Sequence, residues 1–128
     1  MKRTGMKEQF NQQDLRNSLQ QFTGTATYIK HSKFIVLTEG ALFLAEQAHC
    51  HWLYDLFASY LIPLNNKEEF TCLKLVKIND SANVTIDDGN SRTLVKQHIE
   101  YTDFPLESLV LYGCWANDYW VLMLPTEY

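Results

Sequence analysis

Three residues with chemical potential stand together at His49-Cys50-His51, within the segment AEQAHCHWLYDLFASY of residues 45–60. On a helix, residues two apart point about 200° away from each other, so the two imidazoles cannot bind one metal ion. His51 has Asp55 at i+4, and this pair is the one sensible half of a metal site, whereas zinc needs three or four converging ligands. The sequence therefore predicts no metal site and no cofactor.

Cys50 could act as a nucleophile only if its surroundings lowered the pKa of the thiol. It has no CxxC partner and no glycine-rich elbow, and the motifs GxGxxG, GxxxxGK[ST], GxSxG and HExxH are absent from the chain. We predict that Cys50 is a small buried core residue. No catalytic residue is assigned, and a non-enzymatic role is favoured over an enzymatic one.

Several polar and aromatic residues could instead bind a ligand or a protein partner. Asp55 interrupts an apolar segment, so we expect its carboxylate to be buried and to need a partner. Trp115 lies in the loop of residues 113–118, and a tryptophan at a hairpin tip either folds onto the core or stays available to a partner. The candidate ligand or partner residues are His51, Trp52, Asp55, Tyr101, Asp103 and Trp115.

The helix predicted over residues 39–62 must position most of these side chains. Thr38 precedes it as a good N-cap, and Glu39 suits the positive end of the helix dipole. Good helix formers dominate the segment, and no proline occurs before Pro63. Apolar side chains on nearly the whole circumference predict one long buried helix, or a helix pair broken near His49.

The chain before this helix contains a first, amphipathic helix over residues 11–23. Asn11 can cap its start, and Gly24 stands where a left-handed C-terminal residue is expected. β-Branched and aromatic residues then predict short strands at residues 25–31 and 33–37.

After residue 67 the apolar pattern changes to the period of two that is typical of strands. Asp88-Gly89 is the strongest hairpin signal, because glycine accepts the positive φ of such turns, and loops of two to four residues all give plausible pairings. The last two strands are apolar on both faces, which predicts that they lie mid-sheet under the long helix. The predicted strands span residues 68–78, 82–86, 93–101, 106–112 and 119–124.

These elements together predict an α+β fold. N-terminal helices, including one long buried helix or a broken helix pair, pack on an antiparallel β-meander of about five strands. Length and composition indicate a single domain over residues 1–128, with residues 1–8 flexible.

The composition also predicts where the protein works. No apolar stretch follows the N-terminal charges as a secretory signal would require, and charges interrupt the longest apolar segment, which argues against a membrane span. Three cysteines, an odd number, indicate reduced thiols rather than a disulfide framework. We predict a cytoplasmic protein with no membrane association.

The charge of the chain argues against nucleic-acid binding. Residues 38–128 hold five Lys/Arg and thirteen Asp/Glu, so this part of the chain is strongly acidic. Such a body repels phosphate backbones, whereas it suits a basic protein partner. We expect an as yet unknown protein partner, and a homodimer is an alternative.

The sequence resembles a domain family of unknown function among small bacterial and phage-borne proteins, known from cyanobacteria and mobile elements. The likeness covers about residues 22–128, and its most specific parts are Thr38-Glu39-Gly40, Leu44-Ala45-Glu46, Trp52-Leu53-x-Asp55-Leu56-x-Ala58-Ser59, Tyr101-Thr102-Asp103-Phe104-Pro105 and Leu124-Pro125-Thr126-Glu127-Tyr128. It implies a bacterial or phage origin. The family pattern has small residues and a tyrosine at the place of His49-Cys50-His51, which implies that no His/Cys chemistry is shared.

Three functional hypotheses follow from these observations, and the third of them is metal binding at His51. The first is a non-enzymatic protein-interaction or accessory module that acts through its acidic body or the Trp115 loop. The second is a small-ligand-binding domain or small hydrolase with a pocket between the long helix and the sheet, lined by five residues: His51, Trp52, Asp55, Tyr101 and Asp103.

Overall fold

The computed structural model describes residues 12–128, which adopt an α+β fold, as predicted. These residues form three α-helices, two 3-10 helices and one sheet of seven strands. The helices are α1 (Gln12–Leu19), α2 (Glu39–Gln47), α3 (His51–Leu61) and the 3-10 helices Ile62–Leu64 and Pro125–Glu127. The strands are β1 (Ile29–Ser32), β2 (Ile35–Leu37), β3 (Phe70–Ile78), β4 (Ser81–Asp87), β5 (Thr93–Ile99), β6 (Ser108–Trp115) and β7 (Trp120–Met123).

The sheet is mixed, with the strand order β1-β2-β7-β6-β3-β4-β5. The prediction of five antiparallel strands is wrong, because the short β1–β2 hairpin joins the same sheet and β2 runs parallel to β7. The other neighbouring pairs are antiparallel. A parallel pair needs a long crossover connection, and the helices and strands between β2 and β7 supply it. The mid-sheet position predicted for the last two strands is confirmed.

The helical segment after Thr38 consists of two helices, α2 and α3, with a break near His49. The prediction of one long helix is therefore wrong, and the alternative prediction of a helix pair broken near His49 is confirmed. His49 takes a left-handed φ of 51°, and the Cys50 amide donates to the Ala45 carbonyl over 3.0 Å. This is a Schellman-type helix end, in which glycine is the usual left-handed residue. The buried Tyr54 hydroxyl then donates to the Ala41 carbonyl over 2.6 Å and ties α3 to α2.

Two side chains, those of Thr38 and Glu127, accept hydrogen bonds from the free backbone amides at the start of α2. Thr38 is the N-cap, as predicted, and its hydroxyl oxygen accepts a hydrogen bond from the Ala41 amide. The Glu127 carboxylate accepts from the Thr38 hydroxyl over 2.6 Å and from the amides of Gly40 and Leu124 over 3.0 Å. A carboxylate is favourable at the positive end of a helix dipole, so these bonds anchor the C-terminal residues on α2.

α3 lies against the middle of the sheet, where Gly113 of β6 leaves room for it. A Cβ atom at Gly113 would lie 3.1 Å from Phe57 and 3.2 Å from Leu61. The sequence pattern predicted helices that are buried on nearly their whole circumference. This prediction is wrong, because one side of α2 and α3 is only partly covered. Leu42, Phe43, Trp52, Leu56 and Tyr60 remain only partly buried.

The turn predictions had mixed outcomes. α1 ends at Leu19 rather than residue 23, and Gly24 does not take the left-handed conformation expected of it. The predicted cap Asn11 and residues 1–8 lie outside the described residues. Gly89, with a φ of 84°, lies in the β4–β5 hairpin as predicted, but the loop has five residues, 88–92, rather than two to four. Side-chain oxygens of Asp87 and Asp88 accept hydrogen bonds from loop amides and stabilise the longer loop.

Candidate functional site

The core side chains of the sheet point to the face on which the α-helices pack, and the opposite face carries a second set of apolar residues. Strand register places ten of them there, and we call this set the helix-free face: Val36, Phe70, Cys72, Val76, Ile78, Val110, Tyr112, Cys114, Val121 and Met123. Most of these side chains are partly exposed, and Val76 and Ile78 are 49% and 53% exposed. An exposed apolar surface of this kind marks interaction sites in soluble proteins.

An aromatic cluster forms one end of the helix-free face. The rings of Phe70, Tyr112 and Tyr128 pack edge to face, with centroid separations of 4.9 to 5.4 Å. Tyr128 is itself 76% exposed. Rigid aromatic side chains contribute large contact areas at low entropic cost, which is why they are enriched at interface cores.

The charges on this face differ in sign from those of the remaining surface. Lys30, Lys74 and Lys96 project from it, with Asp87 as the single acid, and the Lys74 ammonium lies 3.7 Å from the Asp87 carboxylate. The other described residues hold five Lys/Arg and thirteen Asp/Glu. The acidic body predicted from the sequence is therefore concentrated away from the helix-free face.

Three of the predicted site residues meet in a surface pocket at the edge of the sheet. Trp52 of α3 lines this cavity of about 250 Å³ together with Tyr101 and Asp103, and Ile99 and Thr102 complete it. Tyr101 is 72% exposed, whereas the Thr102 side chain is buried and accepts a hydrogen bond from the Phe104 amide. The pocket combines two aromatic rings with one carboxylate.

His51 and Asp55 do not line this pocket. Both lie on exposed positions of α3, and the Asp55 side chain is 71% exposed, so the expectation of a buried carboxylate is wrong. Its partner is His31 of β1, whose Nε2 lies 2.9 Å from Asp55 Oδ1. The neighbouring Ser32 hydroxyl is buried and makes no hydrogen bond within residues 12–128, so no Ser-His-Asp relay forms here.

Trp115 is the last residue of β6 rather than the tip of the hairpin, which corrects the prediction of its position. It pairs with Trp120, and the two indole centroids are 5.2 Å apart. Its indole N–H donates to the Asn66 side chain over 3.0 Å. The side chain is half-buried, and the exposed tip consists of Ala116, Asn117, Asp118 and Tyr119 instead.

The cysteines and histidines offer no shared site in the described part of the chain. No group of three or more His, Cys, Asp or Glu side chains within residues 12–128 could hold a metal ion. Cys50 is buried next to the Leu44 carbonyl, and burial raises the pKa of its thiol from 9.0 to about 12. Burial also raises the pKa values of Cys72 and Cys114.

The protonated state of Cys50 predicts low reactivity. We expect iodoacetamide at pH 8 to modify Cys50 more slowly than the half-buried Cys114, because only the thiolate attacks and the Cys50 sulfur is inaccessible. Mass spectrometry of timed samples would measure the order. In denaturant all three thiols should react together, and faster modification of Cys50 in the folded protein would contradict the prediction.

The same burial predicts a loss of stability at high pH. Well below pH 9 the Cys50 thiol is protonated in both states and contributes no pH dependence. Above this pH the unfolded chain ionises the thiol while the folded chain keeps it protonated to about pH 12, so the free energy of unfolding falls. Burial raises the pKa of Tyr54 as well, which adds to the fall. Urea titrations across pH 8 to 11 should show a shallower fall in Cys50→Ala than in the wild type.

Sequence reasoning missed the helix-free face as a site, although the signal was present. The apolar pattern on both faces of β6 and β7 predicts a mid-sheet position under the long helix, and it also indicates a second apolar surface on the side away from that helix. The α-helices pack on one side of these strands, and on the other side Val110, Tyr112 and Met123 remain partly exposed. The strand pairing and the positions of the helices were needed to show on which face of the sheet these side chains are exposed.

The comparisons with known proteins give one match. The model of DUF6876, a family of unknown function, matches residues 13–128. No curated protein and no solved structure matches the chain. No helix in residues 12–128 is both long enough and apolar enough to cross a membrane.

Proposed function

The chain belongs to the family of unknown function DUF6876, and we propose that it is a non-enzymatic protein-interaction module of bacterial or mobile-element origin. It binds a protein partner through the helix-free face. The supporting observation is that ten apolar residues share this face and that most of their side chains are partly exposed. Burying such a surface is favourable by roughly 25 cal/mol per Å² of apolar area before the costs of association.

The acidic surface elsewhere and the half-buried Trp115 are weaker candidates for the contact. An acidic surface is common in soluble proteins and favours solubility by itself. Trp115 already packs on Trp120 and donates its indole N–H to Asn66, so little of its ring and no N–H remain for contact with a partner. By contrast, Val76 and Ile78 at the end of β3 are half-exposed, so their side chains are available for contact with a partner.

A photo-crosslinking experiment tests this proposal. A photoreactive amino acid at Val110 of the full-length protein, expressed in bacteria, should crosslink to a partner protein or to a second copy. The double variant Val76→Asp, Ile78→Asp should reduce the crosslinked product strongly, because both charges would be buried in the interface. Ile62→Asp is the matched control, since Ile62 is 40% exposed and lies on the helical side.

The amount of crosslinked product in each variant decides between the outcomes. Loss in the double variant with retention in Ile62→Asp supports the helix-free face, and analytical ultracentrifugation then separates a homodimer from a different partner. Equal products from all three proteins, or no product from Val110, would refute it. Circular dichroism spectra of the variants should match the wild type, because all three substituted side chains are exposed.

A second candidate function is small-ligand binding in the Trp52 pocket. The observation that favours it is the meeting of Trp52, Tyr101 and Asp103 around one cavity. Two aromatic rings and a carboxylate suit an organic cation, which the ring faces and the acid both attract. Titration with choline, followed by the Trp52 indole resonance in NMR, should give a saturable shift that Asp103→Asn weakens. A linear response up to about 10 mM would exclude a useful site.

A further inference from the structure

β5 forms one edge of the sheet, and its outer side has no partner strand in residues 12–128. It spans seven residues, Thr93–Ile99, and its last five pair in regular register with β4. The opposite edge is different, because β1 has only four residues and an irregular register near His31. A short, irregular edge is protected against pairing, whereas a longer regular edge can accept a further strand.

The two faces of β5 would offer different chemistry to an added strand. On the helical side the edge presents Val95, Gln97 and Ile99, and on the other side it presents Lys96 and His98. Because side chains alternate along a strand, an added strand would place one set of its residues beside each of these groups. Apolar residues suit the helical side and acidic residues suit the side of Lys96.

The Trp52 pocket lies at the end of this edge. Ile99, the last residue of β5, contributes to the pocket, and the exposed ring of Tyr101 follows two residues later. An apolar side chain near the end of an added strand would therefore meet an aromatic surface. Main-chain hydrogen bonds and a side-chain pocket are the two parts of known strand-addition sites.

Charge distinguishes between the partners that could add here. Lys96 has no ion-pair partner among the described residues, and an antiparallel pairing of β5 with β5 of a second copy would bring two Lys96 ammonium groups opposite or diagonal to each other. Like charges in such positions destabilise strand pairing. A lysine at the edge thus disfavours self-pairing and favours an acidic strand.

We propose that the β5 edge is a strand-addition site for an extended segment of another protein in which apolar and acidic residues alternate. The apolar residues lie on the helical side, near Ile99 and Tyr101, and the acidic residues lie beside Lys96. Lys96 projects on the side of the helix-free face, but the site consists of the β5 main chain and the Trp52 pocket, so the proposal does not depend on the function assigned to that face.

Fluorescence anisotropy with synthetic peptides tests this proposal on the full-length protein. The probe is a labelled, capped peptide of alternating valine and glutamate, seven residues long, and the control peptide has lysine in place of glutamate. We expect the acidic peptide to bind more tightly than the basic one. Lys96→Glu should weaken the acidic peptide about two- to fivefold and strengthen the basic one, as expected for one cross-strand charge pair.

Backbone methylation provides a signature that nonspecific charge attraction cannot produce. Two further acidic peptides carry N-methyl groups on all valines or on all glutamates. In a strand the N–H groups of alternate residues point to the same side, so only one of the two peptides should lose binding, by at least about tenfold. Tyr101→Ala should weaken the unmethylated peptide without changing this difference.

Several outcomes would overturn the strand-addition site. They are no binding of the acidic peptide at about 1 mM protein, equal binding of both methylated peptides, or no effect of Lys96→Glu. Loss of binding in Val76→Asp, Ile78→Asp would place the peptide on the helix-free face instead. A failure of these tests leaves the crosslinking result at Val110 unaffected, so the two proposals fail independently.

Discussion

Replacing Trp120 with alanine should lower the free energy of unfolding by about 3–5 kcal/mol, which is the usual cost of removing a large buried aromatic side chain. Trp120 is fully buried at the junction of three strands, where it pairs with Ile35 of β2 and Trp115 of β6. Its indole N–H also donates to the Asn65 side chain over 2.7 Å. Since small domains are stable by only about 5–15 kcal/mol, the variant should unfold at a much lower urea concentration.

The matched control for this substitution is Trp115→Ala. Trp115 contacts Trp120 but is half-buried, so its removal leaves an open depression rather than an enclosed cavity, and we expect less than half of the loss. Far-UV circular dichroism should follow both transitions, because tryptophan fluorescence changes with the substitution itself. Equal losses in the two variants would show that the junction at Trp120 is not the better packed site.

Replacing Gly113 with valine should destabilise the protein by about 3 kcal/mol, through overpacking between α3 and β6. An added Cβ would lie 2.7 Å from the Thr71 hydroxyl oxygen, 3.1 Å from the Phe57 ring and 3.2 Å from the Leu61 side chain. The Thr71 hydroxyl donates to the Gly113 carbonyl, so its movement would also disturb a buried hydrogen bond. Gly113→Ala should show the same effect at smaller size.

Gly24→Val is the control for a glycine substitution without crowding. No atom lies within 4 Å of a Cβ built at Gly24, and its φ is not in the left-handed region. We expect a change within about 0.5 kcal/mol, which is usual for an exposed site. Similar urea midpoints for the Gly24 and Gly113 variants would mean that α3 moves away from β6 at little cost. In that case the two elements would not be tightly packed.

Several predicted elements that rest on local signals agree with the structure, although the end of α1 and the conformation of Gly24 do not. The Thr38 cap, the strand pattern after residue 67 and the turn at Gly89 each depend on neighbouring residues, and all three are present. The break between α2 and α3 was only one of two alternatives. A left-handed His49 has no distinctive sequence signal, because the conformation is usually occupied by glycine.

The candidate site depended more on long-range contacts. Residue types drew attention to Trp52, Tyr101 and Asp103, and the structure brings these three to one pocket. The partner of Asp55 was not predictable, since His31 is 24 residues away and lies on a strand whose place in the sheet was unknown. The helix-free face and the β5 edge likewise exist only once the strand order is known.

The sequence by itself determined the α+β class and the positions of most strands, because short-range periodicity and caps decide these properties. The tertiary structure decided the parallel pairing of β2 with β7, which side of the sheet the helices cover and which strand lies at the exposed edge. These features depend on contacts between residues far apart in the chain. The same alternating pattern fits a strand that is buried on one face or on both, and only packing distinguishes the two.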